Sequence, residues 1–336
     1  MDEVSRPAHA ALSFCLCALA AASTAVGQAQ LGPPQQAYPD TATQQGAQQP
    51  AAPPQLGAPQ QQPAAPAVAT APDGFQLNPI EQQQLDVVLN AWQAQSGAIN
   101  TFKCDFERWE YNMAFGPKDP NIPLNKNKGA LSYAKPDKGS FQITEINTFR
   151  LDPVPAGQQP HAVPTGKWVN QPDAIGEHWV CDGKSIFEYR TDQKQLVERP
   201  IPPQMQGQAI VDGPLPFLFG AEAAKLKERY WMKIKPSKNP DQIWLAALPK
   251  FQEQAADFRQ VDVMLNRAKL LPDAMQITMP NADRHVYLFN VEKATVNDPF
   301  AAIKAFFDAP RTPRGWKRAI ENVPVAQGPG TPVQQR

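Results

Sequence analysis

Beyond the first 29 residues the chain keeps three histidines, His161, His178 and His285, and two cysteines, Cys104 and Cys181. None of the histidines has a His or Cys neighbour at metal-ligand spacing. There is no Cys-x-x-Cys in this part, no Gly-x-Ser-x-Gly, no glycine loop of the phosphate-cradling kind and no His-Glu-x-x-His. Acidic residues are scattered, and whether two of them meet is left to the tertiary structure. His178 stands beside Trp179 in a β-prone run and reads as a satisfied polar residue. These residues predict no catalytic group, no metal site and no cofactor: a non-enzymatic protein.

The charges point the same way. The 32 basic and 32 acidic side chains cancel, and nucleic acid requires a basic surplus or stripe. The densest basic run, Lys225, Lys227, Arg229, Lys233, Lys235 and Lys238, is interrupted by Glu222 and Glu228. It reads as a solvated face.

The informative residues are aromatic. Phe102, Phe106, Trp179, Phe187, Tyr189, Trp231, Trp244, Phe258, Tyr287 and Phe289 fall in runs with strand character. The elements that carry them can be read from pattern. Asn78 and Pro79 open a helix whose Leu85, Val88, Leu89 and Trp92 make one apolar stripe, with Gly97 as its stop. Phe102, Cys104 and Phe106 alternate with Lys103, Asp105 and Glu107 as a strand. Residues 130–133 and 141–146 read as a hairpin, and 116–129 and 151–172 as loops. His178 to Tyr189 folds about Asp182-Gly183, a type I′ hairpin signal, and Gln195–Glu198 completes a meander. A short helix over 221–229 precedes strands near 230–235, 243–248, 258–265, 274–278 and 285–291. A helix or turn follows over 300–307, with a last element at 316–320. The expected fold is mainly β (α+β): an incomplete antiparallel barrel of about eleven strands covered by helices. Periodicity alone fits a packed core as well as a hollow half-barrel.

Outside that domain the composition changes. Residues 10–26 are apolar or small, and Gly27-Gln28-Ala29 suits a signal peptidase, so 1–29 reads as a signal peptide and the protein as periplasmic or secreted. Cys15 and Cys17 lack the small preceding residue of a lipidated cysteine. Residues 31–73 hold 10 Pro, 10 Gln and 11 Ala without Lys, Arg or Glu, so 30–74 reads as a disordered linker. Residues 75–322 form the expected domain and 323–336 a tail. The mature chain has no transmembrane span. An oxidising compartment permits a disulfide between Cys104 and Cys181.

The order of elements resembles the lipoprotein-carrier family of the bacterial periplasm. The likeness is carried by the helix over 79–96, by Phe102-Lys103-Cys104-Asp105-Phe106, by Lys135-Pro136 with Phe141, and by Val180 to Tyr189 with Gln195. The segment Gly213 to Gly220, with Gly315-Trp316-Lys317, is similar to an uncharacterised planctomycete secreted domain family. The resemblance implies a half-barrel closed by helices around an apolar cavity for lipid or lipoprotein acyl chains. Trp179, Phe187, Tyr189, Trp244, Phe258 and Phe289 would line it. Leu215, Pro216, Phe217, Leu218 and Phe219 would cover it. Lys135 stands where the carriers often have a lid-locking Arg. The alternative is an envelope sensor or scaffold that uses the fold to hold another envelope protein.

Overall fold

The computed structural model describes residues 70–153, 165–203, 206–207, 222–299 and 307–321. The signal-like stretch, the linker as far as residue 69, His161, the apolar segment 215–219 and the tail from 322 lie outside them.

Helix α1 (Pro79–Gly97) begins where its cap predicts. Asn78 Oδ1 accepts the amides of Ile80 and Glu81 at 2.9 Å, and Glu81 Oε2 accepts the Asn78 amide at 2.9 Å. This reciprocal box satisfies donors that the first turn leaves without partners. Leu85, Leu89 and Trp92, at 2%, 1% and 1% exposure, make the buried stripe.

Fourteen strands form one sheet among the described residues. They are β1 (Thr101–Tyr111), β2 (Asn125–Ala134), β3 (Lys138–Leu151), β4 (Gly166–Asn170), β5 (His178–Asp182), β6 (Ser185–Arg190) and β7 (Gln195–Pro200), followed by β8 (Tyr230–Lys235), β9 (Gln242–Pro249), β10 (Gln260–Asn266), β11 (Pro272–Thr278), β12 (Arg284–Phe289), β13 (Thr295–Val296) and β14 (Lys317–Ile320). Short helices α2 (Ala223–Arg229) and α3 (Gln252–Asp257) precede β8 and β10. The order is β14-β7-β6-β5-β3-β2-β1-β12-β11-β10-β9-β8, with β4 beside β3 and β13 beside β1. The sheet is open and does not close into a barrel. β14 pairs in parallel with β7, against an otherwise antiparallel plan.

The extra strands lie in stretches expected to be loops. β2 begins at Asn125, β3 runs on to Leu151, and β4 occupies 166–170. Apart from the buried Phe149 their side chains are polar or exposed, so alternation does not betray them. Phe258 follows α3 rather than lying on a strand. The Asp182-Gly183 signal does make the β5–β6 hairpin, one position later than a type I′ turn. Gly183 and Lys184 are the central pair, and of the two only Gly183 has positive φ, +89°. That is the type II′ pattern, with glycine first. Asp182 Oδ1 accepts the amides of Lys184 and Ser185 at 2.8 and 2.7 Å.

Register defines the two faces. Directly paired residues share a face, and the inner face is the one that α1 covers. It carries Phe102, Cys104, Phe106, Leu131, Phe141, Trp179, Ile186, Leu245, Val263, Met275 and Phe289 in one core with Leu85, Leu89 and Trp92. Cys104 and Cys181 are both on it as free, buried thiols, so the expected disulfide is not formed. β2 and β3 lie between β1 and β5. Three steps of about 4.8 Å separate the two strands, whereas a disulfide needs Cα atoms about 4.4–6.8 Å apart.

Candidate functional site

The aromatic residues expected to share one cavity divide between the faces. Trp179, Phe258 and Phe289 belong to the inner core, at 6%, 2% and 8% exposure. Phe187 and Tyr189 alternate with the inward Ile186 and Glu188, and so lie on the outer face. Trp244 likewise lies outward between Ile243 and Leu245. Phe187 is buried there, with the Arg318 guanidinium 5.4 Å from its ring. Tyr189 stacks on His178 at 4.1 Å. On the inner face the described rings form a row. Phe106 meets Phe141 at 4.9 Å, Phe141 meets Trp179 at 5.6 Å, and Phe289 meets Phe106 at 6.4 Å. Gly129 makes this row possible, because a Cβ there would come within 2.5 Å of Phe106 Cζ. The proposed cover, residues 215–219, lies outside the described residues. The Lys135 ammonium donates to the Gly97 carbonyl at the end of α1, where the helix dipole favours a cation.

Beyond the aromatic row the inner face turns polar. The alternation Phe102, Cys104, Phe106 continues inward as Arg108 and Glu110. Arg108 Nη1 donates to Glu177 Oε2 and Nη2 meets Glu110 Oε1, each at 2.7 Å. Asn125 and Asn127 donate to Glu110 at 2.8 and 2.9 Å. Burial pushes the Glu110 carboxyl up, but Arg108, His285 and the Asn125 amide together hold it below its ordinary value. Burial wins at Glu177, whose pKa is raised despite Arg108. Burial, aided by Arg108, lowers His285 to about 4. Both Nη groups of Arg108 are spent on carboxylates, so the cluster binds the 171–177 connection to β1. Burial likewise pushes the Cys104 and Cys181 thiols up to about 12, which leaves them unreactive as nucleophiles. Among the described residues no three His, Cys, Asp or Glu side chains stand together as metal ligands.

An opening occurs elsewhere, where α1 passes the end of the β8–β9 hairpin. It is a cleft of about 620 Å³, within the range of small-ligand sites. It is lined by Val87, Val88, Ile234, Ile243 and Trp244 together with Gln83, Gln84, Ser237, Asn239 and Gln242. Ile243 is part of the core, and Val88 and Ile234 pack on it. The turn is held by its own polar groups: Asn239 Oδ1 accepts the Asp241 amide at 2.9 Å, and Ser237 Oγ donates to the Asn239 carbonyl at 2.9 Å. Among the described residues β8 is the end strand of the sheet, and no further strand covers this side. Of the expected ligand residues only Trp244 reaches the cleft. Its other walls escaped the sequence reading, although Val87, off the buried stripe and 64% exposed, was an available signal.

No protein-family model and no curated protein matches the chain. Among solved structures it is similar to a LolA superfamily protein from Nitrosomonas europaea, with 8% identity, a TM-score of 0.29, and 65% of this chain and 96% of that one covered. It is similar to a DUF1329 family protein from Desulfovibrio piger, with 7% identity, a TM-score of 0.29, and 68% and 97% covered. It is also similar to a chain of the MucA/MucB complex of Pseudomonas aeruginosa, with 11% identity and a TM-score of 0.31, covering 64% of this chain and 58% of that one. No helix among the described residues is long and apolar enough to cross a membrane.

Proposed function

We propose that the protein is an exported, non-enzymatic binding protein that holds an acyl chain between α1 and the β8–β9 hairpin. The observation that supports this reading is the cleft itself, whose Val88, Ile234 and Ile243 are continuous with the core and whose lining also carries the amides of Gln83, Gln84, Asn239 and Gln242. Each methylene buried there is worth about 0.8 kcal/mol, so a chain of modest length offsets the cost of its own ordering. The site differs from the one the resemblance implies: of the residues expected there, Trp244 is the one that lines this cleft.

The test is mass spectrometry of lipid extracted from the purified mature protein, compared with Val87→Glu and Trp244→Ala. Val87 is exposed, so a carboxylate there puts charge into the cleft without entering the core. The wild type is expected to carry acyl lipid, and both variants to lose most of it while keeping their thermal transition. A wild type without lipid, or a Val87→Glu protein that retains it, would leave the fold in place and remove this function. In that event the envelope sensor or scaffold becomes the reading to pursue.

A further inference from the structure

Two cations border the cleft, Lys235 and Arg267, and they are not equivalent. Lys235 Nζ lies 3.2 Å from Oδ1 of Asp262, a carboxylate whose side chain is only 6% exposed. Its charge is answered within the sheet. Arg267 follows β10, and its amide donates to the Asp241 carbonyl at 2.8 Å. Its Nε donates to the Pro240 carbonyl at 2.5 Å. The first bond ties the backbone to the hairpin turn and the second holds the guanidinium against it, and both acceptors are neutral. No carboxylate forms an ion pair with Arg267 among the described residues. The cleft therefore combines apolar lining residues with one exposed cation at its border, held by a neutral carbonyl and carrying no ion pair among the described residues.

We infer that Arg267 receives the head group of the bound ligand, and that the ligand is a carboxylate-headed acyl chain, a long-chain fatty acid. Guanidinium and carboxylate match as planar partners, and the charged hydrogen bonds between them are about twice as strong as neutral ones. The amides of Gln83, Gln84 and Gln242 complete a polar rim that needs no second charge. One arginine suits a monoanion better than a phosphate dianion. This inference rests on the reading of the cleft as an acyl site and adds the chemistry of its mouth.

Calorimetric titration of the delipidated full chain with palmitate and with 1-hexadecanol separates the two claims. The wild type is expected to bind palmitate about tenfold more tightly than hexadecanol, the step that one charged pair of about 1.4 kcal/mol produces. Arg267→Gln should remove that difference by weakening palmitate alone, and Arg267→Lys should restore part of it. Should Arg267→Gln disturb the hairpin and weaken both probes, the wild type decides. Raising salt from about 0.05 to 0.5 M should weaken palmitate and leave hexadecanol unchanged, because a charge at the mouth is screened. Palmitate affinity that responds neither to Arg267→Gln nor to salt overturns the head-group assignment while the acyl site stands. A wild type that binds neither probe overturns both.

Discussion

Individual residues show how far one alternating pattern reaches. Phe102, Cys104 and Phe106 mark a strand face, and the same alternation sends Arg108 and Glu110 into the core. Their partner Glu177 is 69 positions from Arg108, a separation no local pattern encodes. His285 pairs with Glu110 across β12 and β1 and faces Arg108, Glu110 and Asp283. The unfolded imidazole takes its proton near 6.5, the folded one only near 4. Between these values the unfolded chain binds a proton that the folded chain refuses, so stability is complete above the window and is lost as pH falls through it. Glu177 acts in the opposite sense. Its raised pKa makes its share of stability present below its ordinary 4.5 and lost as pH rises beyond it. We expect His285→Gln to flatten the fall in urea midpoint between pH 6.5 and 4. An unchanged slope would show that the imidazole is not the group titrating.

Among the elements, β14 is the one least explained by its own residues. It is four residues long, exposed along most of its length, and parallel to β7. Side-chain charges secure it. Glu321, just after the strand, meets Arg199 at 2.7 Å and Arg190 at 3.0 Å, and Arg318 meets Glu198 at 2.7 Å. These pairs differ in worth. Arg199 is 2% exposed and also bonds Glu188 at 2.8 Å, whereas Arg318 and Glu321 are about two-fifths exposed. Arg199→Met strands Glu188 with a weaker partner and should cost about 3 kcal/mol. Arg318→Ala should cost under about 1 kcal/mol. Chemical denaturation measures both, and equal costs would mean that burial does not set the strength of these pairs. Both arginines are visible in the sequence, but their value depends on what covers them.

At the scale of the molecule, the core cluster runs from Leu85 to Val291 and draws on α1, α2 and both halves of the sheet. Residues 31–73 hold 10 Pro, 10 Gln and 11 Ala and few large apolar side chains to add to it. A protein lacking residues 1–69 is expected to unfold cooperatively at the midpoint of the full chain. A lower midpoint or a second transition would place part of the core upstream. The sequence alone determined the local choices: the cap at Asn78, the hairpin at Gly183, the alternation of β1, and a mainly β domain. Each follows from steric and hydrogen-bonding rules that act within a few residues. Tertiary structure decided the rest. Alternation tells which residues share a face but not which face is filled, so Trp179 and Phe187 looked alike and proved to lie on opposite sides. The two cysteines likewise share a face but lie three strands apart. The cleft exists only because α1 crosses the end of a hairpin that begins more than 130 positions later. Its walls are drawn from separate elements whose meeting depends on the order of strands in the sheet.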